Sequence, residues 1–284
     1  MPYVRLMLTT SLVMIAFAGN SLLCRAALKH TSIDAASFTT IRLASGAIML
    51  WLVARLRSGA RGRAGNWPSA FALCVYAAGF SFAYVTLPAA TGALLLFGAV
   101  QATMISHGIW RGERLRGVQL MGLVLALGGL VGLLLPGLSA PPLLGALLML
   151  SAGAAWGVYS LRGRGAGDPL AVTAGNFLRA VAIAAALSAA TASGISVDGA
   201  GIGYAIASGA VASGLGYAIW YTVLPQLKAT SAATVQLSVP VIASLGGIAF
   251  LGETLTLRWV LASLAVLGGI ALVLLKRRES LGAR

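Results

Sequence analysis

The chain has 284 residues, of which 59% are hydrophobic and 9% are charged, and this composition leaves too little polar surface for a soluble fold. It therefore indicates an integral membrane protein. Twenty Lys and Arg residues outnumber six Asp and Glu residues and give a net charge of +14, but the charges cluster between apolar segments, so nucleic acid is not expected as a partner.

A helix needs about 20 apolar residues to cross a hydrocarbon core of about 30 Å. The sequence contains ten such segments, which are residues 6–28, 34–55, 68–87, 89–110, 117–135, 142–161, 169–193, 201–222, 229–251 and 258–275. Arg5, the apolar run that follows it and Ala16-Phe17-Ala18 also look like a cleavable signal peptide. Retaining this segment gives five spans in each half of the chain.

Five is an odd number, so the second half must enter the membrane in the opposite orientation to the first. The predicted fold is therefore all-α, with ten transmembrane helices in two inverted five-helix repeats, residues 6–135 and 142–275. A duplicated bundle of this kind is the architecture of many transporters, in which the substrate site lies between the repeats near the bilayer midplane.

The basic residues predict the orientation of the bundle. With the N-terminus in the cytoplasm, fifteen of the twenty basic residues face the cytoplasm, and the outer connections keep Lys29 and Arg258, with Arg25 near the outer end of its helix. This bias predicts that both termini are cytoplasmic. The Gly- and Arg-rich connection from Arg55 to Trp67 is predicted to fix the topology and to contact anionic lipid of the bilayer.

Each half also carries the same motif: a long apolar segment, a Gly-Glu pair with a basic residue, and an apolar segment that contains Gly-Gly. The first copy has Gly112, Glu113, Arg114, Gly128 and Gly129, and the second has Gly252, Glu253, Arg258, Gly268 and Gly269. An Arg lies inside the second span of each half, at Arg42 and Arg179. Together with the five-plus-five pattern, these motifs resemble the EamA family of the drug/metabolite transporter superfamily over nearly the whole chain.

The resemblance implies a transporter of small molecules in the bacterial inner membrane. It also implies that spans one to four and six to nine surround a central cavity, with spans five and ten at the periphery. The aromatic residues of spans three, six and eight, together with Asn20 and His107, are similar to those of YddG-type aromatic amino-acid exporters. One departure from the motif is that no basic residue follows Glu253 directly.

Aromatic side chains are the first candidates for a substrate site. They are Tyr76, Phe80 and Tyr84 at intervals of four residues on span three, Trp156 and Tyr159 on span six, and Tyr217 on span eight. The spacing on span three places its rings on one helix face. Such a face suits a flat, partly apolar ligand. The alternative is that these rings only pack the helices together.

Polar side chains at similar depth form a second group, which consists of Asn20, Gln101, Gln236 and Ser244. Pro240, near the middle of span nine, has no N–H to donate to the carbonyl of Gln236, so it predicts a helix break and a hinge. A freed carbonyl is tolerated in a membrane where protein or a water-filled cavity covers it, and these residues are therefore predicted to bind substrate. The alternative is that the amides bridge neighbouring helices.

Arg42 and Arg179 lie roughly 8 to 10 residues inside their spans, which at about 1.5 Å per residue is too deep to reach the membrane surface comfortably. Each is expected either to bind backbone carbonyls and hold its repeat together, or to bind a substrate carboxylate. An Arg at this place in both halves favours the structural role.

All six acidic residues lie at span ends or in loops, so transport down the substrate's own gradient is favoured over proton coupling. The sequence offers no nucleophile with a base, no paired carboxylates and no metal-ligand spacing, so no enzyme activity, metal or cofactor is expected. The predicted function is export of small neutral or zwitterionic metabolites by alternating access, with aromatic amino acids preferred. Export of drugs or of sugar or nucleotide metabolites is the alternative, and the oligomeric state is left open.

Overall fold

The computed structural model describes residues 3–58, 64–112, 115, 117–137, 140–163, 167–227, 232 and 235–281, and every regular element in this part of the chain is a helix. The helices are α1 (Tyr3–His30), α2 (Ala35–Ser58), α3 (Trp67–Tyr84), α4 (Ala89–Trp110), α5 (Gly117–Leu134), α6 (Leu143–Arg162), α7 (Pro169–Ala190), α8 (Gly199–Gln226), α9 (Ser238–Leu251) and α10 (Leu257–Leu281). Within α8, the middle section Ala207–Leu215 is a π-helix and the last turn, Leu224–Gln226, is a 3₁₀-helix.

This element order confirms the prediction of an all-α membrane bundle with ten helices. Among the described residues, eight helices are long and apolar enough to cross a membrane, and α9 is a shorter apolar helix. The remaining helix, α3, is largely buried against its neighbours. The first predicted span is part of the bundle, since α1 packs against α8 and α9.

Side-chain caps explain where several helices begin. The Asn66 side chain accepts a hydrogen bond from the backbone N–H of Ser69 at the start of α3. Asp168 and Asp198 cap α7 and α8 in the same way, and Asp34 accepts from two backbone N–H groups at the start of α2. Each cap satisfies N–H groups that have no partner within the helix. Three of the six acidic residues are therefore helix caps at the bundle ends.

The glycines of the repeated Gly-Glu motif both have left-handed backbone conformations. Gly112, after α4, has φ +90°, and Gly252, after α9, has φ +62°. A left-handed residue directly after a helix lets later N–H groups return to its last free carbonyls, and glycine adopts it without strain. After α9, the N–H of Glu253 donates to the carbonyl of Gly247 at 3.0 Å. The glycine of the motif therefore ends a helix.

The contacts between helices follow the pattern of two inverted repeats. Helix α1 packs against α8 and α9, and α6, its counterpart five positions later, packs against α3 and α4. The pairs α2 with α7, α4 with α9, and α5 with α10 each join equivalent helices of the two halves. Helices α5 and α10 pack mainly on each other and touch α4, so they lie at the periphery, as predicted.

Close helix contacts depend on glycines, but only some of the expected ones take part. In the sequence, the pairs Gly128 with Gly132 and Gly153 with Gly157 have the spacing of small residues at helix contacts, which predicts that both pairs lie against a neighbouring helix. Gly153 and Gly157 do lie against α4. The prediction is wrong for the other pair, because nothing lies within 4 Å of a Cβ built on Gly128 or Gly132. Gly129, one residue further along the helix, faces α10 instead.

Successive connections alternate between two ends of the bundle. At one end, the N–H of Asp34 donates to the carbonyl of Ser196 at 2.8 Å, which joins the α1–α2 connection to the α7–α8 connection. At the other, the N–H of Asn66 donates to Oδ1 of Asn176 at 2.8 Å and joins the α2–α3 connection to α7. We refer to these as the Asp34 end and the Asn66 end.

Candidate functional site

Rings from both halves of the chain meet in one connected group between the helices. We refer to seven rings of this group as the central aromatic cluster, namely Phe17, Tyr76, Phe80, Trp156, Tyr159, Phe177 and Tyr217. Tyr84, Trp220 and Tyr221 contact the cluster from outside. Trp156 lies at its centre, with its ring centroid 4.8 Å from that of Tyr76 and 5.3 Å from those of Tyr159 and Tyr217. The last two rings are stacked on it, with interplanar angles of 27° and 21°. The indole of α6 therefore joins a ring of α3 to a ring of α8.

Buried polar groups lie directly beside these rings. The Tyr76 hydroxyl accepts hydrogen bonds from Nη2 of Arg42 at 3.0 Å and from Nδ2 of Asn20 at 3.4 Å. Oδ1 of Asn20 in turn accepts from the Ser208 hydroxyl at 2.6 Å. The four side chains come from α2, α3, α1 and α8. This chain of hydrogen bonds fixes one edge of the cluster.

The π-helical section of α8 brings this helix close to Arg42. A Cβ on Gly209 would overlap the backbone carbonyl oxygen of Arg42 and the hydroxyl of Ser45, so the two backbones approach as closely as glycine allows. Short π-helical sections are frequent at functional sites. Here the section carries Ser208 and places its hydroxyl against Asn20.

The two arginines that the sequence places at equivalent positions have different surroundings. Nη1 of Arg179 donates to the backbone carbonyls of Ala64 at 2.9 Å and Gly175 at 2.8 Å. The Arg42 side chain is 2% exposed, and its Cζ lies 4.7 Å from the ring centroid of Phe80 and 5.3 Å from that of Tyr76. Its Nη1 is buried and has no hydrogen-bond partner among the described residues.

Comparison with known proteins agrees with this architecture. The family model described as the EamA-like transporter family matches residues 143–275. The chain belongs to this family. It is therefore a multi-pass membrane transporter of the drug/metabolite transporter superfamily.

Two further similarities cover almost the whole EamA-like chain. The uncharacterized protein PA1977 of Pseudomonas aeruginosa is 63% identical over 278 residues, which are 98% of this chain and 97% of that protein. A solved crystal structure is similar with a TM-score of 0.69 at 18% identity, and the match covers 96% of this chain and 98% of the solved one. At this identity the solved structure shows the fold alone.

Several residues that contact the central aromatic cluster of this EamA-like transporter, or that bond close beside it, were missed in the sequence. Phe17 lies one helical turn before Asn20 and packs its ring 5.6 Å from that of Tyr217. Nδ2 of Asn176 donates to the Tyr159 hydroxyl at 3.4 Å, and Thr173 shares a 2.8 Å hydrogen bond with Tyr221. Asn176 stands three residues before Arg179, so the helical spacing of these two polar residues was the available signal. Ser208 gave no such signal, because Ser is common in apolar helices.

Other predicted residues lie apart from the central aromatic cluster. Gln101 is buried on α4. Nε2 of Gln236 donates to the Ala232 carbonyl at 3.1 Å, and the Ser244 hydroxyl to the Val241 carbonyl at 2.7 Å, so both bond within their own stretch of chain. No described hydrogen bond or ring contact joins these three residues to the cluster.

Two more predicted positions lie near the ends of the site. Tyr84 extends the rings of α3, 4.7 Å from Phe80, and its hydroxyl contacts the Ala89 carbonyl at 3.3 Å. Pro240 lies in the first turn of α9, directly after a turn at Leu237. The described residues contain no group of three His, Cys, Asp or Glu side chains that could hold a metal ion.

Proposed function

We propose that this EamA-like transporter exports small neutral or zwitterionic metabolites, with aromatic amino acids preferred, and that it binds them at the central aromatic cluster. The observation that carries the proposal is the position of Trp156 between Tyr76 of the first half and Tyr217 of the second. A flat aromatic side chain gains favourable ring contacts in such a stack. This preference is the one known for YddG-type exporters.

The polar groups beside the rings support a zwitterionic cargo. Ligand sites are mostly apolar, with a few polar groups that fix the orientation of the ligand. Asn20, Arg42 and the Tyr76 hydroxyl provide such groups next to the rings. Phe80, Tyr159 and Tyr84 complete the apolar part. We place Gln101, Gln236 and Ser244 at positions that cargo reaches in another conformation of the bundle, with Pro240 as the hinge of α9.

The two five-helix repeats support a proposal of alternating access. We propose that residues 6–135 and 142–275 are the two five-helix units, and that they rock against each other around cargo held between them. Both termini are proposed to lie in the cytoplasm of a bacterium, with the protein in the inner membrane. The support is the charge asymmetry: Arg55, Arg57 and Arg162 lie at the Asn66 end, whereas Lys29 and Arg258 lie at the Asp34 end.

The positions of the acidic residues bear on proton coupling and on the alternative that the cargo is a cationic drug. Asp34, Asp168 and Asp198 cap helices at the bundle ends, and none of the described carboxylates contacts the central aromatic cluster. A proton relay or a site for cationic drugs would favour a carboxylate inside the membrane. This placement supports transport of cargo down its own gradient, without proton coupling.

The test is counterflow in liposomes that contain the purified full chain. Labelled phenylalanine, tryptophan and serine are offered to liposomes loaded with the same unlabelled amino acid, with and without a pH gradient. We expect exchange of the two aromatic substrates without a gradient and little exchange of serine. Failure to exchange any amino acid would reject the cargo, and exchange only under a pH gradient would reject uncoupled transport.

A further inference from the structure

The guanidinium of Arg42 is a buried cation that the described residues leave incompletely bound. Its Nη2 donates to the Tyr76 hydroxyl at 3.0 Å, while Nη1 is buried without a hydrogen-bond partner. Its Cζ lies over the rings of Phe80 and Tyr76. These contacts fix the orientation of the group. However, a neutral hydroxyl and two ring faces do not neutralise a charge that is buried in a membrane protein.

Arg179 shows that an Arg at the equivalent position of the other half does find hydrogen-bond acceptors for its Nη1. It lies in the equivalent helix of the second half, and its Nη1 donates to two backbone carbonyls, those of Ala64 and Gly175. A buried charge is normally paired or fully hydrogen-bonded, because an unpaired one is expensive to remove from water. Arg42 departs from that rule at the edge of the central aromatic cluster, where cargo is proposed to bind.

A carboxylate is the group best suited to accept a hydrogen bond from Nη1 of Arg42. Guanidinium N–H groups form strong charge-assisted hydrogen bonds to carboxylate oxygens. No acidic side chain of the described residues pairs with Arg42, and the neighbouring amide of Asn20 is already bonded to Tyr76 and Ser208. A phosphate with two negative charges would favour a second basic group, and Arg42 is the described basic side chain that lies over rings of the cluster.

We propose that Nη1 of Arg42 binds the carboxylate of the cargo while the rings around Trp156 hold its aromatic part. The site then selects aromatic carboxylates, with or without an amino group, and rejects aromatic amines, because Arg42 repels a cation and no described acidic group of the cluster attracts one. This inference rests on the proposed function, since it takes the central aromatic cluster as the cargo site.

Competition binding to the unmodified, purified chain in detergent tests the charge selectivity. Unlabelled 3-phenylpropionate, L-phenylalaninamide and phenethylamine compete with labelled L-phenylalanine. We expect 3-phenylpropionate to displace the label nearly as well as phenylalanine, and the two amines to need about 10- to 150-fold higher concentrations, the range for one hydrogen bond to a charged group.

The possible failures are distinguishable. Displacement by the amines at the concentration of phenylalanine itself would overturn the role of Arg42 but leave an aromatic cargo site intact. Absence of specific phenylalanine binding would overturn both this inference and the proposed function.

Two variants test whether Arg42 causes the selectivity for carboxylates over amines. In Arg42→Gln we expect phenylalanine binding to weaken by about 10- to 150-fold, with binding of phenethylamine undiminished. Arg179→Gln is the matched control, in which the preference for 3-phenylpropionate over phenethylamine stays unchanged. An unchanged preference in Arg42→Gln would overturn the proposal. If Arg42→Gln fails to fold, Arg42→Lys keeps the charge and should keep the preference, and its loss there would count against the proposal.

Discussion

Arg25 and Glu253 are 228 residues apart in the chain and form an ion pair at the Asp34 end, with Nε and Oε1 separated by 3.3 Å. Oε2 of Glu253 also accepts from the N–H of Ala89 at 2.9 Å. Nη1 of Arg25 donates to the carbonyls of Tyr84 at 2.9 Å and Val85 at 3.0 Å. The pair therefore joins α1, the α3–α4 connection and the α9–α10 connection.

Glu253→Gln should lower the thermal stability of the protein. The glutamine amide can still accept from the N–H of Ala89, so the change removes mainly the charge of the pair, whose side chains are only 12% and 7% exposed. We expect a loss of about 1.5–3 kcal/mol, the range for a hydrogen bond to a charged group. Thermal unfolding of the purified protein in detergent measures it.

The double variant Arg25→Gln/Glu253→Gln is the control for this prediction. Its loss should be smaller than the sum of the two single losses, because each single variant leaves the other charge without its partner. Additive losses would show that the two side chains are not coupled.

The role of Glu253 could not be predicted from the sequence, although its glycine neighbour could. A glycine that follows an apolar helical segment is a common helix end, and Gly112 and Gly252 both fulfil that role. The basic partner of Glu253, by contrast, comes from the other half of the chain. In the sequence, no basic residue directly follows Glu253. In the folded chain, Arg25 provides the basic partner.

The stability contribution of Asp34 should depend on pH. Partial burial alone would raise the pKa of this carboxyl, but hydrogen bonds from Ser37, Ser196 and Ala36 outweigh it and hold the pKa below its ordinary value. A lowered folded-state pKa gives stability that is present above the unfolded pKa, about 3.9, and is lost as the pH falls through the folded value. The contribution should therefore be complete at neutral pH.

Asp34→Ala tests this dependence. At pH 7 it should lower the free energy of unfolding by about 1 kcal/mol, the usual effect of losing a helix cap. The difference in melting temperature from the unmodified protein should shrink as the pH is lowered below about 4. Asp198→Ala also removes a helix cap, so its loss of unfolding free energy at pH 7 is the value with which that of Asp34→Ala is compared. A difference for Asp34→Ala that does not shrink in acid would contradict the assignment.

Gly209→Ala should destabilise the contact between α2 and α8. The added methyl would overlap the carbonyl oxygen of Arg42, so one of the two backbones must move, with a typical loss of about 1–3 kcal/mol for overpacking. Gly203→Ala lies in the same helix, and nothing stands within 4 Å of its Cβ. This control should unfold at the same or a higher temperature. Equal melting temperatures for both variants would contradict the close approach seen here.

The different contacts of Arg42 and Arg179 could not be predicted from the sequence. Both arginines occupy the second helix of their half, and symmetry predicted one structural role for both. The spacing of Tyr76 and Phe80 correctly placed two rings on one face. It could not show that these rings lie under Arg42, nor that Ala64 supplies a carbonyl to Arg179, because both contacts depend on how separate helices and connections pack.

Trp156 is the ring whose removal should most impair transport. Its indole touches Tyr76, Tyr159 and Tyr217, and each ring pair is worth about 0.5–1.5 kcal/mol beyond the area it buries. Trp156→Phe keeps a flat ring and should raise the KM for phenylalanine counterflow by about 2- to 10-fold, if cargo takes part in the same stack. Trp156→Ala should abolish measurable exchange.

Trp110→Ala separates this effect from the general loss of a tryptophan. The Trp110 side chain is 84% exposed at the end of α4, and its removal should leave both exchange and melting temperature unchanged. Melting curves of all three variants decide between function and folding. Normal exchange in a folded Trp156→Ala protein would mean that the central aromatic cluster serves to pack helices, and that cargo passes elsewhere in the bundle.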